Sequence, residues 1–390
     1  MAVIRRVALL IEATNAYARG LLHGVAQYTH EQGNWIIYFE PHAGDEPPPK
    51  WLKTWKGDGV LARIANRSMA KAALALGVPV VELRRMRAVS GVPSIGPDHK
   101  LVAKMAVEHL HERGFRHFGF CGFPRGVDPP MDQRAETFRL RVQELSLDCS
   151  VCNTERGLTL EQEEKRIAHW IRSLPKPAGV MTANDNRGLQ VLRACVRVGV
   201  AVPDQVAVIG AGNDDCLCSL SHPPLSSVDL GPEAIGYEAA AVLDRMMDGK
   251  PPPAPQIQMP PRSIVTRLST DVLATDDQAV AQAVGFIRAH ACESINVGDV
   301  LKHVRLSRSA LEPRLKAVIG RTIHQEIHRV QLERVKALLA STDLPTKQIA
   351  AQSGFHYVQY LTRVFRKDTG QTPANFRKRV RQPKTAGLSV

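Results

Sequence analysis

From Val3 to about Arg267 the chain keeps switching between two apolar periodicities. The runs VALLIE, WIIYFE, GVLARI, VPVVEL, HFGFCG, AGVMTA, VAVIG and SIVTR are short, apolar and rich in β-branched residues, and they read as buried strands. Between most of them lie stretches of helical spacing: YARGLLHGVAQYTHEQ, SMAKAALALG, KLVAKMAVEHLHERG, QRAETFRLRVQEL, LEQEEKRIAHWIRSL, RGLQVLRACVRVG and PEAIGYEAAAVLDRMMDG. Strands joined through helices run parallel, and the helices cover both faces of the sheet. The strands are too many for one small sheet. Residues 1–267 are therefore expected to form an α/β domain of two similar lobes. A cleft should lie between them, where strand ends meet helix N-termini. Neither G-x-G-x-x-G nor a Walker A sequence occurs, so nucleotide or dinucleotide chemistry has no support.

The alternation stops at LSTDVLATDD, residues 268–277, which reads as a short polar linker. Helical patterning then runs from 278 to about 382, and residues 383–390 read as a loose tail. Charge divides at the same place. Of the formal net charge of +13, Gln278–Val390 supplies 19 Lys/Arg against 7 Asp/Glu, and the first 277 residues carry 32 against 31. A nearly neutral body with one basic domain points to a polyanion partner for that domain alone.

The chain lacks a signal-peptide pattern and any apolar run of about 18 residues, so it is expected in the cytoplasm and off the membrane. Its seven cysteines include a C-x-x-C at Cys149 and Cys152 and a C-x-C at Cys216 and Cys218. A metal site or redox pair is the sharper reading of these. Reduced, partly buried thiols are the plainer one and suit the cytosol better. No metal or cofactor is expected.

The basic domain repeats itself. VLKHVRLSRSALEPRLKAVIGRT (300–322) lies over IAAQSGFHYVQYLTRVFRKDTGQT (349–372). Leu311 and Leu361, Leu315 and Phe365, Gly320 and Gly370, and Thr322 and Thr372 are each fifty apart; before the turn the offset is 49, with Val300 over Ile349. Each copy reads as short helix, tight turn, longer helix: a helix-turn-helix. Between them Ile327, Val330, Leu332, Val335, Leu338 and Leu339 keep helical spacing and predict a long connecting helix, with Pro345 at or just past its end. Two such units on one rigid connector would set two recognition helices in successive major grooves, about 34 Å apart.

The stretch I-A-x-x-x-G-F-x-x-x-x-Y-L-T-R-V-F-R-K-x-x-G-Q-T-P-x-x-F-R, Ile349 to Arg377, resembles the second helix-turn-helix of AraC/XylS-type DNA-binding domains. The first 270 residues resemble the two-lobed core of LacI-type repressors and periplasmic sugar-binding proteins, without an N-terminal DNA-binding headpiece. The combination resembles the bacterial xylose operon regulators across essentially the whole chain. It implies a sugar-responsive transcription activator that binds D-xylose between its lobes and double-stranded DNA in the major groove, working as a homodimer and not as an enzyme.

For DNA contact the resemblance and the helical register point to Gln359, Tyr360 and Arg363, opposite the core residues Leu361 and Phe365. Gln can pair bidentately with adenine and Arg with guanine, and an aromatic edge can meet a thymine methyl. Arg366, Lys367, Arg377, Lys378 and Arg379 are expected at phosphates or in solvent; the plain alternative is a solvated basic face. In the first unit Arg305 stands at the turn-glycine position and Pro313 falls within the recognition helix. With Ser307 as N-cap, Pro313 loses a bond to Ser309 and kinks the helix at a cost of order 3 kcal/mol. With Ser309 as cap, Ser309 and Glu312 form a capping box and Pro313 lies near the first turn. The candidate contacts there are Arg308, Ser309, Glu312 and Arg314, so that the first unit positions and the second specifies.

For the effector cleft the resemblance implies Asp98, Arg134 in RAETF, and Asp185 in TAND. A helix-capping role for the two acids and a surface ion pair for Arg134 are the plain alternatives. Gly212 in VIGAGNDD stands where the family has an acid; Asn213 or Glu12 is the expected substitute. Tyr17 is expected to stack on the ring, close the cleft or pack in the core. Gly212 also keeps open a regulator that has lost xylose binding and answers another small molecule or a protein partner. An enzyme is the second hypothesis, since two-lobed α/β folds host many reactions, but no nucleophile elbow, H-E-x-x-H or paired His/Cys set supports it.

Overall fold

The structure, a computed structural model, describes residues 4–32, 34–41, 46–64, 66–84, 91–152, 155–271, 275 and 277–381. The tail expected at 383–390 and part of the 268–277 stretch lie outside them.

Two six-stranded sheets form the lobes. The first contains β1 (Arg5–Leu10), β2 (Trp35–Phe39), β3 (Gly59–Ala62), β4 (Val80–Glu82), β5 (Ser94–Pro97) and β11 (Gln256–Met259), all parallel, in the order β11-β5-β4-β3-β1-β2. The second contains β6 (His117–Cys121), β7 (Cys149–Cys152), β8 (Ala178–Thr182), β9 (Val206–Ala211), β10 (Ser226–Asp229) and β12 (Ser263–Val265), in the order β12-β10-β9-β8-β6-β7 with β12 antiparallel. Helices α1 (Ala16–Gln32), α2 (Arg67–Leu74) and α8 (Pro232–Met247) cover the first sheet; α3 (His99–His111), α4 (Pro129–Glu144), α5 (Leu160–Ser173), α6 (Asp185–Arg197) and α7 (Asp215–Leu220) cover the second. Strands β3, β8 and β9 are buried at every position, as interior parallel strands must be. The chain passes between lobes after β5, after β10 and between β11 and β12, so the strands' carboxyl ends converge on one crevice.

Four strands carry no β-branched run: SIGP, CSVC, SSVD and QIQM. In β10 the reason is visible. Ser226 and Ser227 are wholly buried because their hydroxyls have partners: Ser226 donates to the Arg267 carbonyl at 2.8 Å and Ser227 to Asp185 at 2.5 Å.

The start of the 268–277 stretch is not a loose linker. Leu268–Thr270 forms a 3-10 turn with Ser269 and Thr270 buried in the second lobe. The Ser269 hydroxyl donates to the Val208 carbonyl at 2.6 Å, and buried Arg113 donates its Nε–H to the Thr270 carbonyl at 2.9 Å. Burial, with Arg288 and Arg329 nearby, pushes Arg113 down to about 9. Arg288 reaches back to Asp271 at 3.7 Å.

The C-terminal region is all-helical: α9 (Gln278–His290), α10 (Val297–Val304), α11 (Arg308–Ile319), α12 (Ile323–Ser341), α13 (Thr346–Gln352), α14 (Val358–Thr369) and α15 (Pro373–Arg381). It has two cores. Leu311 and Leu315 sit in the first; their repeat partners Leu361 and Phe365 sit in the second. Gly320 and Gly370 end α11 and α14 in the left-handed conformation, and Thr322 and Thr372 accept hydrogen bonds at the starts of the next helices. Pro345 lies past the end of α12, at the cap of α13.

The turns differ. Gly354 has φ +78, and a Cβ there would come within 2.6 Å of the Ala291 carbonyl oxygen. Arg305 adopts the same left-handed region, φ 55, with a side chain. Ser307 is the N-cap of α11, accepting from the Ala310 N–H at 3.2 Å, so Pro313 lies inside the helix and the Ser309–Glu312 capping box is not formed. We expect Pro313→Ala to restore the missing donor and raise stability by about 1–3 kcal/mol. Arg305→Gly should add about 1 kcal/mol. Gly354→Ala should lose about 2 kcal/mol or more. Denaturant midpoints of the full chain check all three.

Candidate effector cleft and nucleic-acid interface

The crevice holds a cavity of about 250 Å³. Its walls come from residues just beyond strand carboxyl ends: Glu12 after β1, Arg63 after β3, Arg84 after β4, Asn184 after β8 and Gly212 after β9. The start of α3 adds His99, and α4 adds Asp128 and Arg134. This is where open α/β sheets place ligands.

Four of the six sequence candidates line the cavity. Arg134 is fully buried: it donates to the Ala183 carbonyl oxygen, its second nitrogen lies 3.0 Å from His99 Nδ1, and its Nε has no partner among the described residues. Burial pushes its guanidinium down to about 10. Glu12 pairs with Arg63, and Asn15 donates to it at 3.4 Å. Tyr17 packs against cores of both lobes, with the Arg63 guanidinium carbon 5.4 Å from its ring centre. Its buried hydroxyl has no hydrogen-bond partner among the described residues, and burial pushes it up to about 12. Asp185 lines the wall but is already engaged, accepting from the Ser227 hydroxyl at 2.5 Å and the Asp214 N–H at 2.8 Å. Burial raises its carboxyl above the ordinary range. That carboxylate fills the space beside Gly212: a Cβ there would lie 2.9 Å from Asp185 Oδ2, on a backbone with φ +133.

Two candidates point elsewhere. Asp98 caps α3, accepting from Lys100 and Leu101 at 2.9 and 3.1 Å, and its neighbour His99 enters the cavity instead. Asn213 accepts from Arg267 at 3.0 Å, outside the cavity lining. The sequence reading missed Arg63, Arg84, His99 and Asp128. Arg84 and Asp128 belong to opposite lobes and approach to 3.9 Å across the cleft mouth.

On the second helix-turn-helix, Gln359, Arg363, Arg366 and Lys367 are exposed along α14 and line a shallow groove. Tyr360 is half-buried and absent from that groove. Arg377 is not at the surface expected: it donates to the Leu344 carbonyl at 2.5 Å. The first unit's charges are largely spent on the protein. Arg308 pairs with Glu312 at 2.6 Å, and Arg314 holds Asp277 through two bonds of 2.7 and 2.6 Å. Ser309 stays exposed, 3.0 Å from the Ser307 hydroxyl. Pro313 occupies the position fifty residues before Arg363, so a hydrogen-bonding side chain in one unit is a ring in the other.

A two-lobed ligand-binding fold joined to two helix-turn-helix units defines a DNA-binding transcription regulator. Family models agree: a periplasmic binding protein-like domain matches residues 107–270, a XylR N-terminal domain 6–88 and a helix-turn-helix domain 300–379. The chain belongs to the xylose operon regulator family. It is 34% identical over 383 residues to the xylose operon regulatory protein of Escherichia coli K12, covering 95% of this chain and 96% of that one. The Haemophilus influenzae counterpart is 30% identical, with 95% and 98% covered. A solved xylose-binding transcription activator is 33% identical over 96% of this chain and 98% of its own, with a TM-score of 0.62.

The space beside Gly212 does not readily admit the acid that the resemblance implies there. Gly212→Asp should lower stability by about 2 kcal/mol or more, from the backbone conformation and the facing carboxylate. Gly212→Ala should show the backbone part alone. Thermal denaturation separates the two.

Proposed function

We propose that the chain is a sugar-responsive activator of pentose catabolism genes, with D-xylose as the first candidate effector. The observation that carries this is Tyr17. It lines the cavity of about 250 Å³, and its buried hydroxyl has no partner among the described residues. An unmet buried hydroxyl costs about 1–3 kcal/mol, and a sugar hydroxyl would meet it. Arg134, steered by His99 and Ala183, and Glu12, steered by Arg63 and Asn15, present the remaining polar groups. The names of the relatives, xylose operon regulators and a xylose-binding activator, support the same effector. In this reading the protein binds its sugar without turning it over and acts in the cytoplasm as a homodimer. Closure of the lobes on the sugar shifts the population toward the form competent at its operators.

Calorimetry of the full chain against a panel of aldopentoses and hexoses tests the effector. A true effector present at 100 times its Kd should stabilise the protein by about 2.7 kcal/mol. Tyr17→Phe, which keeps the ring, should weaken binding about fivefold to tenfold through loss of one hydroxyl contact. Silence toward every sugar would favour the second reading, a regulator answering another small molecule or a protein partner. Gly212 and the fully engaged Asp185 are what keep that reading in play.

For DNA, α14 reads bases and α11 sets position. Gln359→Ala and Arg363→Ala should each relax preference at a base pair by about 1–3 kcal/mol. Arg366→Ala and Lys367→Ala should weaken binding evenly and each lower the salt slope by about 1. Glu312→Ala should leave base preference intact; equal losses in Gln359→Ala and Glu312→Ala would refute the division of labour.

A further inference from the structure

Among the residues expected on the reading face of α14, Tyr360 alone is half-buried. It leans on the connecting helix. Its hydroxyl lies 3.2 Å from His328 Nε2, and the two rings meet edge to face at 5.7 Å. Phe355 closes the other side, 6.1 Å from Tyr360 and 6.3 Å from His328, nearly parallel to the latter. On the outer side of Tyr360, the Arg363 guanidinium carbon sits 5.2 Å from the ring centre. A chain of contacts thus runs from the scaffold helix α12, through one aromatic ring, to an exposed arginine on the recognition helix.

An exposed arginine has much rotamer freedom, and ordering it on a base edge lowers affinity. A ring held beneath the guanidinium offers a cation–π contact that limits this freedom before DNA arrives. The ring can do so only if it is itself fixed, and His328 and Phe355 fix it. We infer that His328 is a positioning residue for base recognition: through Tyr360 it holds the Arg363 guanidinium over the open face of α14. The inference rests on the reading of α14 as the base-contacting helix. Burial, and then His324 at 4.1 Å, lowers the His328 pKa from its ordinary value, which favours the neutral ring that can accept from the phenol. The first unit contains no such device. The positions fifty residues before Tyr360 and Arg363 are Ala310 and Pro313. Tyr360 accordingly acts behind the reading face, supporting Arg363, while Gln359 and Arg363 contact the bases.

The test uses the full chain and a randomised duplex library. Sequences are selected by the wild type and by His328→Leu, His328→Gln, Tyr360→Phe and Arg363→Ala, and binding to the selected duplex is followed against salt. Arg363→Ala should lose preference at one base pair. Tyr360→Phe and His328→Leu should relax preference at that same base pair, roughly tenfold at most, the scale of one side-chain-to-base contact. The salt slope should not change, since no phosphate contact is removed. His328→Gln, which keeps an acceptor, should recover part of the preference, and the Tyr360→Phe/His328→Leu double variant should be no worse than the weaker single one. If His328→Leu fails to fold, Tyr360→Phe, which removes one oxygen, decides. Unchanged preference in Tyr360→Phe and His328→Leu beside a clear loss in Arg363→Ala overturns the positioning role. So does a uniform loss of affinity with an altered salt slope. No change of preference in Arg363→Ala instead overturns the assignment of α14 as the reading helix.

Discussion

Helix α12 belongs to two hydrophobic cores at once and joins the two DNA-binding units. Ile323 and Ile327 pack with α9, α10 and α11; Leu332, Val335, Leu338 and Leu339 pack with α13, α14 and α15. Apolar burial is non-directional and by itself would let a helix roll between two partners. Polar groups at the boundary remove that freedom. Buried Gln331 donates to the Ala291 carbonyl at 2.9 Å and to the Gly354 carbonyl at 3.2 Å, tying the end of α9, the connecting helix and the second unit's turn to one point. One turn earlier, buried Glu326 accepts from Arg329 at 2.6 Å and lies 3.3 Å from Arg321. Burial alone would raise its carboxyl, but the surrounding arginines outweigh it and hold the group below the ordinary range. Buried polar networks of this kind favour one register.

Duplication has left two units with the same framework and different surfaces. Leucines at 311 and 361 and glycines at 320 and 370 keep the frame. The polar groups diverge. In the first unit Arg308 and Glu312 cancel each other and Arg314 clasps Asp277, the residue that caps α9. In the second, Gln359, Arg363, Arg366 and Lys367 remain exposed. The first unit is thus bound inward to its own chain, and the second faces outward.

The two-lobed fold and the duplicated helix-turn-helix were legible because both rest on periodicity. Continuous β-branched runs such as VAVIGA mark interior parallel strands, and fifty-residue spacing marks the repeat. Strands such as SSVD were not legible: their serines are buried only because Asp185 and Arg267, distant in sequence, supply partners. The cleft was half legible. The resemblance brought Arg134 and Asp185 to it, but Asp98 is a helix cap whose neighbour His99 lines the wall. Arg63 and Arg84 share a usable signal, since each lies within two residues of a strand's carboxyl end. The engagement of Asp185 with residues 214 and 227, and of Tyr360 with His328, depends on tertiary contacts that no local pattern encodes.

The stitching of Ser269 and Thr270 into the second lobe shortens the leash of the DNA-binding region. The covalent path from Asp271 to the cap of α9 at Asp277 spans six peptide units, about 20 Å even if fully stretched. Three of the ten residues in the 268–277 stretch are therefore unavailable as slack. A tether that short keeps the two parts at a high effective concentration for each other, so the contact of Arg288 with Asp271 at the junction reforms readily once broken. Displacements of the second lobe larger than that reach must carry the DNA-binding region with them, as a lever would.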